Sequence, residues 1–338
     1  MHLKSRSTSM MIWLTAWCVS VVFYGNAQAQ DDGARAYWKT LEGTNFLSFQ
    51  YLRFNADTDA EIYDPSHGIY PNSETDANFF LLSYGRQIDF FGRSAMAGAA
   101  IFGGDLDTEF NVGGYNPDDP TSTTRFRETN SGFGDPSVQL TVNLYGAPTI
   151  ENFYDMANYE PRFTVDVGGM LAIPIGEYDD DKMVNIGLNR WWGRLSLPMV
   201  AYFGSYAPLY RTSFEVTPSV YLFAKNDDFL GEDLENDPLF QLEAHLTHDI
   251  TRSLVASIDF MFRKGMESEI NGNKSGEDLD IKTLGFTLDY LVTDNVGLRV
   301  SYHSNFIDDN DLDADMMRIQ INYGWNALVE NVKMLEHH

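Results

Sequence analysis

The sequence is poor in cysteine, in basic residues and in long apolar runs, and each scarcity excludes a class of protein. Its one cysteine, Cys18, lies within the first 29 residues, so the remainder of the chain contains no disulfide. Its 23 Lys and Arg stand against 49 Asp and Glu, a net charge of −26, and no basic stripe exists that could neutralise nucleic-acid phosphates. No run of 18 apolar residues follows residue 30, which argues against a transmembrane helix there.

The N-terminus has the features of a cleaved secretory signal peptide over residues 1–29. Lys4 and Arg6 precede an apolar run at 10–24, and Ala27-Gln28-Ala29 supplies the small residues of a cleavage site. The apolar run, about 15 residues long, is short for a bilayer span. Cleavage after residue 29 would leave 21 basic and 49 acidic residues, a charge of −28, so the acidity belongs to the exported part.

Apolar residues make up 43% of the chain and aromatic residues 14%, enough for a large ordered structure despite the charge. They alternate with polar residues at a period of two. Leu284, Phe286 and Leu288, for example, fall on one face of a strand, and the residues between them fall on the other. Twelve such strands are predicted, at residues 43–55, 78–90, 94–104, 135–146, 161–175, 192–204, 213–225, 239–250, 254–264, 281–292, 296–307 and 315–325.

The connections between these strands alternate in length. Short turns are predicted at 91–93, 251–253 and 293–295, whereas long acidic loops follow the odd-numbered strands, and 147–160 is a longer exception among the even-numbered connections. An even number of strands with short turns at one end and long loops at the other is the arrangement of outer-membrane barrels. The polar faces carry almost no lysine, of which the chain has eight, and Tyr and Trp lie near strand ends. The sequence therefore predicts an all-β transmembrane antiparallel up-and-down barrel over residues 43–325, in preference to a secreted β-sandwich enzyme or lectin.

Three short segments give this barrel a family resemblance. Residues 131–136 (SGFGDP) lead into a strand and are followed by 173–178 (IPIGEY) and 185–189 (NIGLN). In this order they resemble landmarks of the outer-membrane transporter family named for the meta-pathway of phenol degradation. The resemblance implies a barrel that passes small, often aromatic or hydrophobic molecules, and it marks the motif residues Gly132, Gly134, Asp135, Pro174 and Gly176. The chain departs from the usual outer-membrane ending because Trp325 of the last strand is followed by further residues.

The polar face of the strands is the predicted lumen. A turn centred on Asp294 would place Asp289 opposite Arg299, a pair that either neutralises charge in the wall or contributes a transverse field. A twelve-stranded barrel has a radius on the order of 12 Å, too wide for side chains to fill. A loop at 105–133 is therefore predicted to fold inward, and residues 30–42 are predicted to be a short periplasmic segment without a plug. The predicted pore-lining residues are Arg162, Asp166, Arg194, Glu215, Glu243, His245, Asp259, Arg263, Asp289, Arg299, His303 and Arg318.

Two other groups of residues are weaker candidates for chemistry. His303-Ser304 resembles the catalytic pair of outer-membrane lipid hydrolases, but neighbours in a strand point to opposite faces, so catalysis is not expected. Asp309, Asp311 and Asp313 alternate carboxylates without the glycine and terminal glutamate of a calcium loop, so no metal and no cofactor is predicted. Solvated loop charge, bridged by divalent cations to lipopolysaccharide, is the preferred interpretation.

The leading hypothesis is a monomeric, non-enzymatic channel in the outer membrane of a Gram-negative bacterium, in contact with outer-membrane lipid and lipopolysaccharide. Small-molecule solutes would diffuse along a mixed-charge lumen from an acidic vestibule that disfavours anions. The alternatives are a transporter of hydrophobic compounds with lateral release into lipid, an outer-membrane lipid hydrolase, and a plugged structural barrel. Residues 326–334 are predicted to extend beyond the barrel, and 335–338 to be an expression-tag remnant.

Overall fold

The computed structural model describes residues 32–58, 73–113, 123–182, 184–204, 211–275, 279–308 and 312–328. Its helix α1 is Phe153–Asn158. Its strands are β1 Asn45–Thr58, β2 Ser73–Phe90, β3 Arg93–Gly113, β4 Thr123–Phe133, β5 Ser137–Tyr145, β6 Phe163–Ala172, β7 Trp192–Ser196, β8 Met199–Phe203, β9 Thr212–Phe223, β10 Asn226–Phe229, β11 Glu232–Asn236, β12 Leu239–Asp249, β13 Leu254–Gly265, β14 Ser268–Ile270, β15 Asn273–Ser275, β16 Leu279–Thr293, β17 Val296–Asp308 and β18 Leu312–Trp325.

These strands close into an antiparallel barrel with twelve strands in its wall. Strand β18 returns to pair with β1 along its whole length, so the barrel is closed and lacks the edge that an open sheet would present to lipid. Two wall strands are interrupted: β4 and β5 are separated at 134–136, and β7 and β8 at 197–198. Pro136 and Pro198 lie at these breaks, where a missing backbone donor is tolerated. Strands β10, β11, β14 and β15 form a separate four-stranded sheet.

Alternation along the wall strands places apolar side chains outside and polar ones inside. In β1, Phe49 is 47% exposed, whereas Ser48 and Gln50 are 1% and 0% exposed. Exposed apolar side chains recur around the barrel and form the band that lipid covers. At the short-turn end, Tyr323 stacks on Trp325 with 5.3 Å between ring centroids, a position typical of an interfacial girdle. Since outer-membrane barrels place short turns in the periplasm, we call this end periplasmic and the opposite end outer.

The twelve predicted strands all correspond to wall strands. Most boundaries differ by three residues or fewer, but β2 begins five residues before its predicted start and β3 ends nine residues after its predicted end. The largest difference is β4, which was predicted as loop and instead pairs with β3 from Gly103↔Phe133 to Gly113↔Thr123. The prediction that 105–133 folds into the lumen is therefore wrong for its described residues. Exposed ion pairs, such as Arg125 with Glu109 at 2.7 Å, run along this hairpin. A strand wetted on both faces shows no apolar alternation, which is why the pattern missed it.

The connection between β5 and β6 closes part of the periplasmic end. Helix α1 begins after Asn152, whose side chain accepts hydrogen bonds from the N–H groups of Tyr154 and Asp155. Met156 of the helix is fully buried in a cluster with Leu41. Among the described residues, no helix is both long and apolar enough to span a bilayer.

Residues 32–44, which we call the N-terminal segment, lie inside the barrel at its periplasmic end. Arg35 is 0% and Trp38 2% exposed. A backbone hydrogen bond from Glu42 to the carbonyl of Ile150, 2.8 Å long, fixes the point at which the segment enters. The prediction of a periplasmic stretch without a plug is wrong for these residues, because their charged side chains find buried partners on the inner wall.

The outer half of the lumen contains most of its buried apolar side chains. Two buried clusters of inward-facing side chains fill it and share Phe54. The first consists of Leu239, Met266, Leu279, Ile281 and Ala314 with Phe54, Ala56, Tyr221 and Phe223, and the second of Leu52, Leu81 and Met316 with Phe54, Phe79 and Phe102. Because β1 and β9 lie on opposite sides of the barrel, the first cluster spans the lumen. Most charged inner-face side chains lie at mid-barrel or in the periplasmic half. Arg194 and Arg263 lie at the level of the first cluster, because the register places them opposite Tyr221 and Ile281.

Candidate functional site

Arg35 anchors the N-terminal segment to β12. Its Nε donates to Thr247 Oγ1 at 2.8 Å and its Nη1 to Asp249 Oδ1 at 2.7 Å. The guanidinium also lies 4.1 Å from the centroid of the Trp38 ring, a cation–π distance. Asp249 accepts a second hydrogen bond from Nε of Arg211 at 2.7 Å. One buried carboxylate therefore joins two buried cations, which satisfies the requirement that charges removed from water be paired.

Glu215 of β9 holds the backbone of the same segment. Its Oε2 accepts the N–H of Arg35 at 2.8 Å, and its Oε1 accepts the indole Nε1 of Trp38 at 3.0 Å. The hydroxyl of Ser213 donates to the same carboxylate at 2.6 Å. These bonds fix the direction of the chain and the orientation of the indole, since a carboxylate can accept several donors at once.

Asp32 and Lys39 form two further buried ion pairs. Asp32 receives both terminal nitrogens of Arg194 at 2.6 and 2.8 Å, and its own N–H donates to Glu243 Oε2 at 2.9 Å. Lys39 Nζ donates to Asp166 Oδ1 at 2.8 Å. With Arg35 and Asp249, three buried ion pairs tie the segment to the wall, and each would be left incomplete if the segment moved out.

The side of the lumen formed by β17 and β18 is basic. Arg299 forms a bidentate pair with Asp289, both bonds 2.8 Å long, and donates Nη2 to the carbonyl of Ala34 at 2.8 Å. The register places Asp289 opposite Arg299, as the turn centred on Asp294 predicts. Arg318 is buried nearby, and both guanidinium groups approach Gly33. The segment therefore presents N–H groups to carboxylates on β9 and β12 and a carbonyl to Arg299.

Two histidines share the carboxylate of Asp259. His245 Nδ1 lies 2.7 Å from Oδ1, and His303 Nε2 lies 3.5 Å from Oδ2. The hydroxyls of Ser257 and Thr287 donate to the same carboxylate at 2.5 and 2.6 Å. These hydroxyls bind a carboxylate and not an imidazole, so they do not form the nucleophile–base pair of a serine hydrolase.

Eleven of the twelve predicted pore residues lie on the inner face of the wall, and Arg162 lies exposed at the periplasmic rim. Arg263 is among the eleven and donates Nε to Gln241 Oε1 at 2.8 Å. His303 is buried on the inner face, whereas its neighbour Ser304 lies on the opposite face. The pattern missed the residues that fill the site from within: Asp32, Arg35, Trp38 and Lys39. The available signal was an Arg, a Trp and a Lys placed together just before the first strand.

The five motif residues meet where β4 and β5 are interrupted. Asp135 is buried, and its two carboxylate oxygens accept the N–H groups of Gly176 and Leu188, both at 2.9 Å. A Cβ on Gly176 would lie 2.7 Å from the carbonyl carbon of Gly134, so only glycine fits this approach. Gly132 has φ +154° and lies against the side chain of Glu177, while Pro174 lies two residues before Gly176. The cluster fixes the connection 173–191 against the wall.

The outer loops carry exposed charge. Asp309 and Asp311 lie outside the described residues, and Asp313 is exposed on β18. Asp179, Asp180 and Asp181 can bring their oxygens within 4.8 Å of one another, but exposed carboxylates alone do not make a metal site. In the four-stranded sheet and its flanks, the hydrogen bonds from Lys225 to Asp233 and from Lys274 to Glu267 raise the pKa of each lysine.

Comparison with known proteins agrees with this barrel. The structure is similar to the COG4313 outer membrane channel from Pseudomonas putida F1, with a TM-score of 0.67 and 14% identity over 89% of this chain and 100% of that one. Weaker likenesses are to the transport unit of the autotransporter AIDA-I from Escherichia coli (TM-score 0.47, 9% identity, 91% of this chain and 96% of that one) and to a Pseudomonas aeruginosa FadL homologue (0.41, 9%, 85% and 91%). No curated protein sequence matches the chain significantly.

The first of these likenesses supports the fold of the barrel. A sequence profile of one family, described as the MetA-pathway of phenol degradation, matches residues 70–312, which is most of the chain. The chain therefore belongs to this family.

Proposed function

We propose that this protein takes up small molecules that carry an apolar or aromatic group, and that the N-terminal segment closes the lumen at rest. The observation that carries the proposal is the contrast between an outer half that contains two apolar clusters and a periplasmic half that the charged N-terminal segment fills. A purely hydrophilic porin would be expected to have a polar interior throughout. Burial of a solute's apolar group among these clusters is favourable by about 25 cal/mol of free energy per Å² of apolar surface removed from water.

Passage to the periplasm requires the segment to move. Three buried ion pairs and the hydrogen bonds to Glu215 hold it, and removing one partner of such a pair leaves an uncompensated charge. The closed state is therefore the stable one in the absence of solute, and a solute must replace some of these contacts to pass.

The test compares the full chain with a variant lacking residues 32–41, reconstituted in planar bilayers and in liposomes. We expect rare or small conductance for the full chain and steady conductance for the deletion. Flux of a small aromatic solute through the deletion should exceed that of a sugar of equal size. Unchanged conductance would contradict the closing role, and equal fluxes would contradict the apolar preference. Heat-modifiable migration on a gel would establish that the deleted barrel is folded.

A second candidate is the release of apolar solutes sideways into lipid. One observation favours it: β4 pairs with β3, while on its other edge the described residues provide the connection 173–191 in place of a strand. Asn130 of β4 reaches this connection through bonds of 3.1 Å to Val184 O and Asn185 Oδ1. Such a junction has fewer backbone hydrogen bonds than a pair of neighbouring β-strands, so less free energy is needed to open it.

A paired-cysteine variant tests this route. Asn130→Cys with Asn185→Cys would join β4 to the connection, and the chain has no other cysteine after residue 29. If lateral release occurs, oxidation should stop transfer of an apolar solute into lipid and reduction should restore it, with ion conductance unchanged. Transfer that continues in the oxidised protein would exclude the route. Each single-cysteine variant serves as the matched control.

The remaining expectations complete the proposal. The protein would be exported with residues 1–29 removed, would function as a monomer without a cofactor or catalytic role, and would meet lipopolysaccharide through divalent cations at its acidic outer loops. Mass spectrometry of the mature N-terminus and native mass spectrometry in detergent test the first two statements directly.

A further inference from the structure

The contacts of Arg35 have the composition of a ligand site. Three nitrogens of one planar guanidinium meet three different acceptors on the wall: Thr247 Oγ1 at 2.8 Å, Asp249 Oδ1 at 2.7 Å and the carbonyl of Arg211 at 3.4 Å. Two acceptors belong to β12 and the third to Arg211, the residue before β9, so they stay with the wall if the segment leaves. A fork of fixed acceptors of this kind selects guanidinium geometry over a simple point charge.

We propose that this wall site binds the guanidinium group of a solute, and that Arg35 occupies it as an internal ligand. The inference rests on the proposed uptake function and deepens it by naming a substrate class: small molecules with an apolar group and a cationic group. Such a molecule matches both halves of the lumen. A solute that enters from the outer end meets the apolar clusters first and then the carboxylates of β9 and β12.

The charges left behind by the segment favour a cation over a neutral ligand. Glu215 would lose the N–H of Arg35 and the indole Nε1 of Trp38, and would keep only Ser213 among its named donors. Asp249 would keep Arg211 and lose its second cation. Glu243 would lose the N–H of Asp32. Buried carboxylates with missing donors are costly, and a cationic solute restores donors and charge together.

The same departure disfavours anionic solutes. Removing the segment takes one negative and two positive side chains from the lumen, those of Asp32, Arg35 and Lys39, so the wall that remains is more acidic than the filled lumen. Arg194 would lose Asp32 but would stay paired with Glu243 at 3.2 Å. Arg299 and Arg318 remain across the lumen, and Arg299 is already paired with Asp289. Among the carboxylates that would lose a partner, Asp249, Glu243 and Glu215 lie on β12 and β9, beside the site of Arg35, and Asp166 lies on β6.

The first experiment measures binding and does not depend on transport. The variant Arg35→Ala removes the internal ligand, and methylguanidinium is titrated into the purified variant in detergent while thermal unfolding is followed. We expect the variant to unfold at a lower temperature than the parent protein. Methylguanidinium should raise that temperature, with an apparent affinity on the order of millimolar, since a fragment of few atoms has limited affinity. Tetramethylammonium, which cannot donate hydrogen bonds, is the matched ligand and should have no effect.

Three further variants separate this site from a general salt effect. Arg35→Lys retains an occupant and should show little response. Lys39→Ala removes a positive charge from the same segment at a different wall site and should not respond to methylguanidinium. Arg35→Ala combined with Asp249→Asn loses the charged acceptor and should bind at least about tenfold more weakly, because a charge-assisted bond is lost. Equal responses in Lys39→Ala, or a response of Arg35→Ala equal to that of the double variant, would overturn the proposal.

The second experiment places the site in the transport path. In planar bilayers, the variant lacking residues 32–41 should be blocked by methylguanidinium and by a benzyl-substituted guanidinium, the latter at lower concentration because of its apolar group. Block without a difference from tetramethylammonium would contradict the assigned site. Thermal stabilisation without block would contradict its place in the path, and block without an apolar preference would count against the substrate class while leaving the channel itself intact.

Discussion

The two halves of the lumen are lined by the same strands but are stabilised in different ways. Strand β12 has Leu239 in an outer apolar cluster at one end and Asp249 in a periplasmic ion pair at the other. Strand β9 likewise contributes Phe223 to the outer cluster and Glu215 to the periplasmic contacts with the segment. In the outer half, apolar side chains from opposite walls meet directly. In the periplasmic half the walls stay apart, and a thirteenth element, the N-terminal segment, fills the space. Inner-face residues therefore share their exclusion from lipid, but they are apolar in some places and charged in others.

This difference predicts different tolerance to change. An apolar cluster loses contacts in proportion to the atoms removed, whereas a buried charge network depends on every partner being present. The outer half can therefore admit a solute by rearranging side chains. The periplasmic half must exchange one set of paired charges for another, which makes it the selective and slow part of the path.

The largest effect is expected for Asp249→Ala. The substitution leaves Arg35 and Arg211 buried without their shared carboxylate, and breaking a buried pair costs about 3–5 kcal/mol. The free energy of unfolding in detergent, followed by tryptophan fluorescence under urea, measures it. Asp313→Ala, at an exposed acidic position on β18, is the control. If Asp249→Ala lowers the free energy of unfolding no more than Asp313→Ala does, the periplasmic half is not stabilised by its ion pairs.

A smaller effect is expected for Leu81→Ala in the outer half. Leu81 is 1% exposed, and truncating a buried leucine costs about 3 kcal/mol through lost burial and the cavity that remains. Its neighbour Leu82 faces lipid at 42% exposure and supplies the matched control. We expect Leu82→Ala to cost clearly less by the same unfolding measurement. If the two substitutions cost the same, the outer cluster is not packed as a core.

Asp135→Asn should have an intermediate local effect. The amide retains one acceptor for Gly176 or Leu188 and turns a donor toward the other N–H, which leaves a buried donor unsatisfied at a cost of about 1–3 kcal/mol. Hydrogen exchange of the connection 173–191 should increase while exchange in β12 is unchanged. Faster exchange throughout the barrel would show that Asp135 supports the whole wall and not this connection alone.

The smallest effect lies outside the lumen, at the exposed pair of Lys274 with Glu267. The hydrogen bond raises the pKa of Lys274, so the pair is intact below the ordinary lysine pKa and is lost as pH rises through the raised value. At a fixed alkaline pH, acylation of Lys274 should be slower in the parent protein than in Glu267→Gln, as measured by mass spectrometry of the labelled peptide. Labelling of Lys264, paired elsewhere with Asp280, should not change.

The wall of the barrel could be predicted because lipid on one side and lumen on the other impose a period of two on every strand. The same reasoning placed Asp289 opposite Arg299, since a short turn fixes the register of its hairpin. It could not find β4, whose two faces both meet water, nor the sheet of β10, β11, β14 and β15, whose strands of three to five residues are too short to show a period. It also missed the role of Arg35 and Trp38. Their segment has no apolar periodicity, and its position depends on contacts with residues far along the chain, which the sequence does not show.

The sequence by itself determined the closed antiparallel barrel and the membrane that surrounds it, because alternation and turn length are local properties of the chain. Only the tertiary structure decided what fills the lumen. Arg35 and Asp249 are separated by 214 positions in the chain, yet they meet at 2.7 Å because the curvature of the wall brings β12 around the N-terminal segment. Burial makes that pairing necessary, since neither charge can remain inside the barrel without a partner.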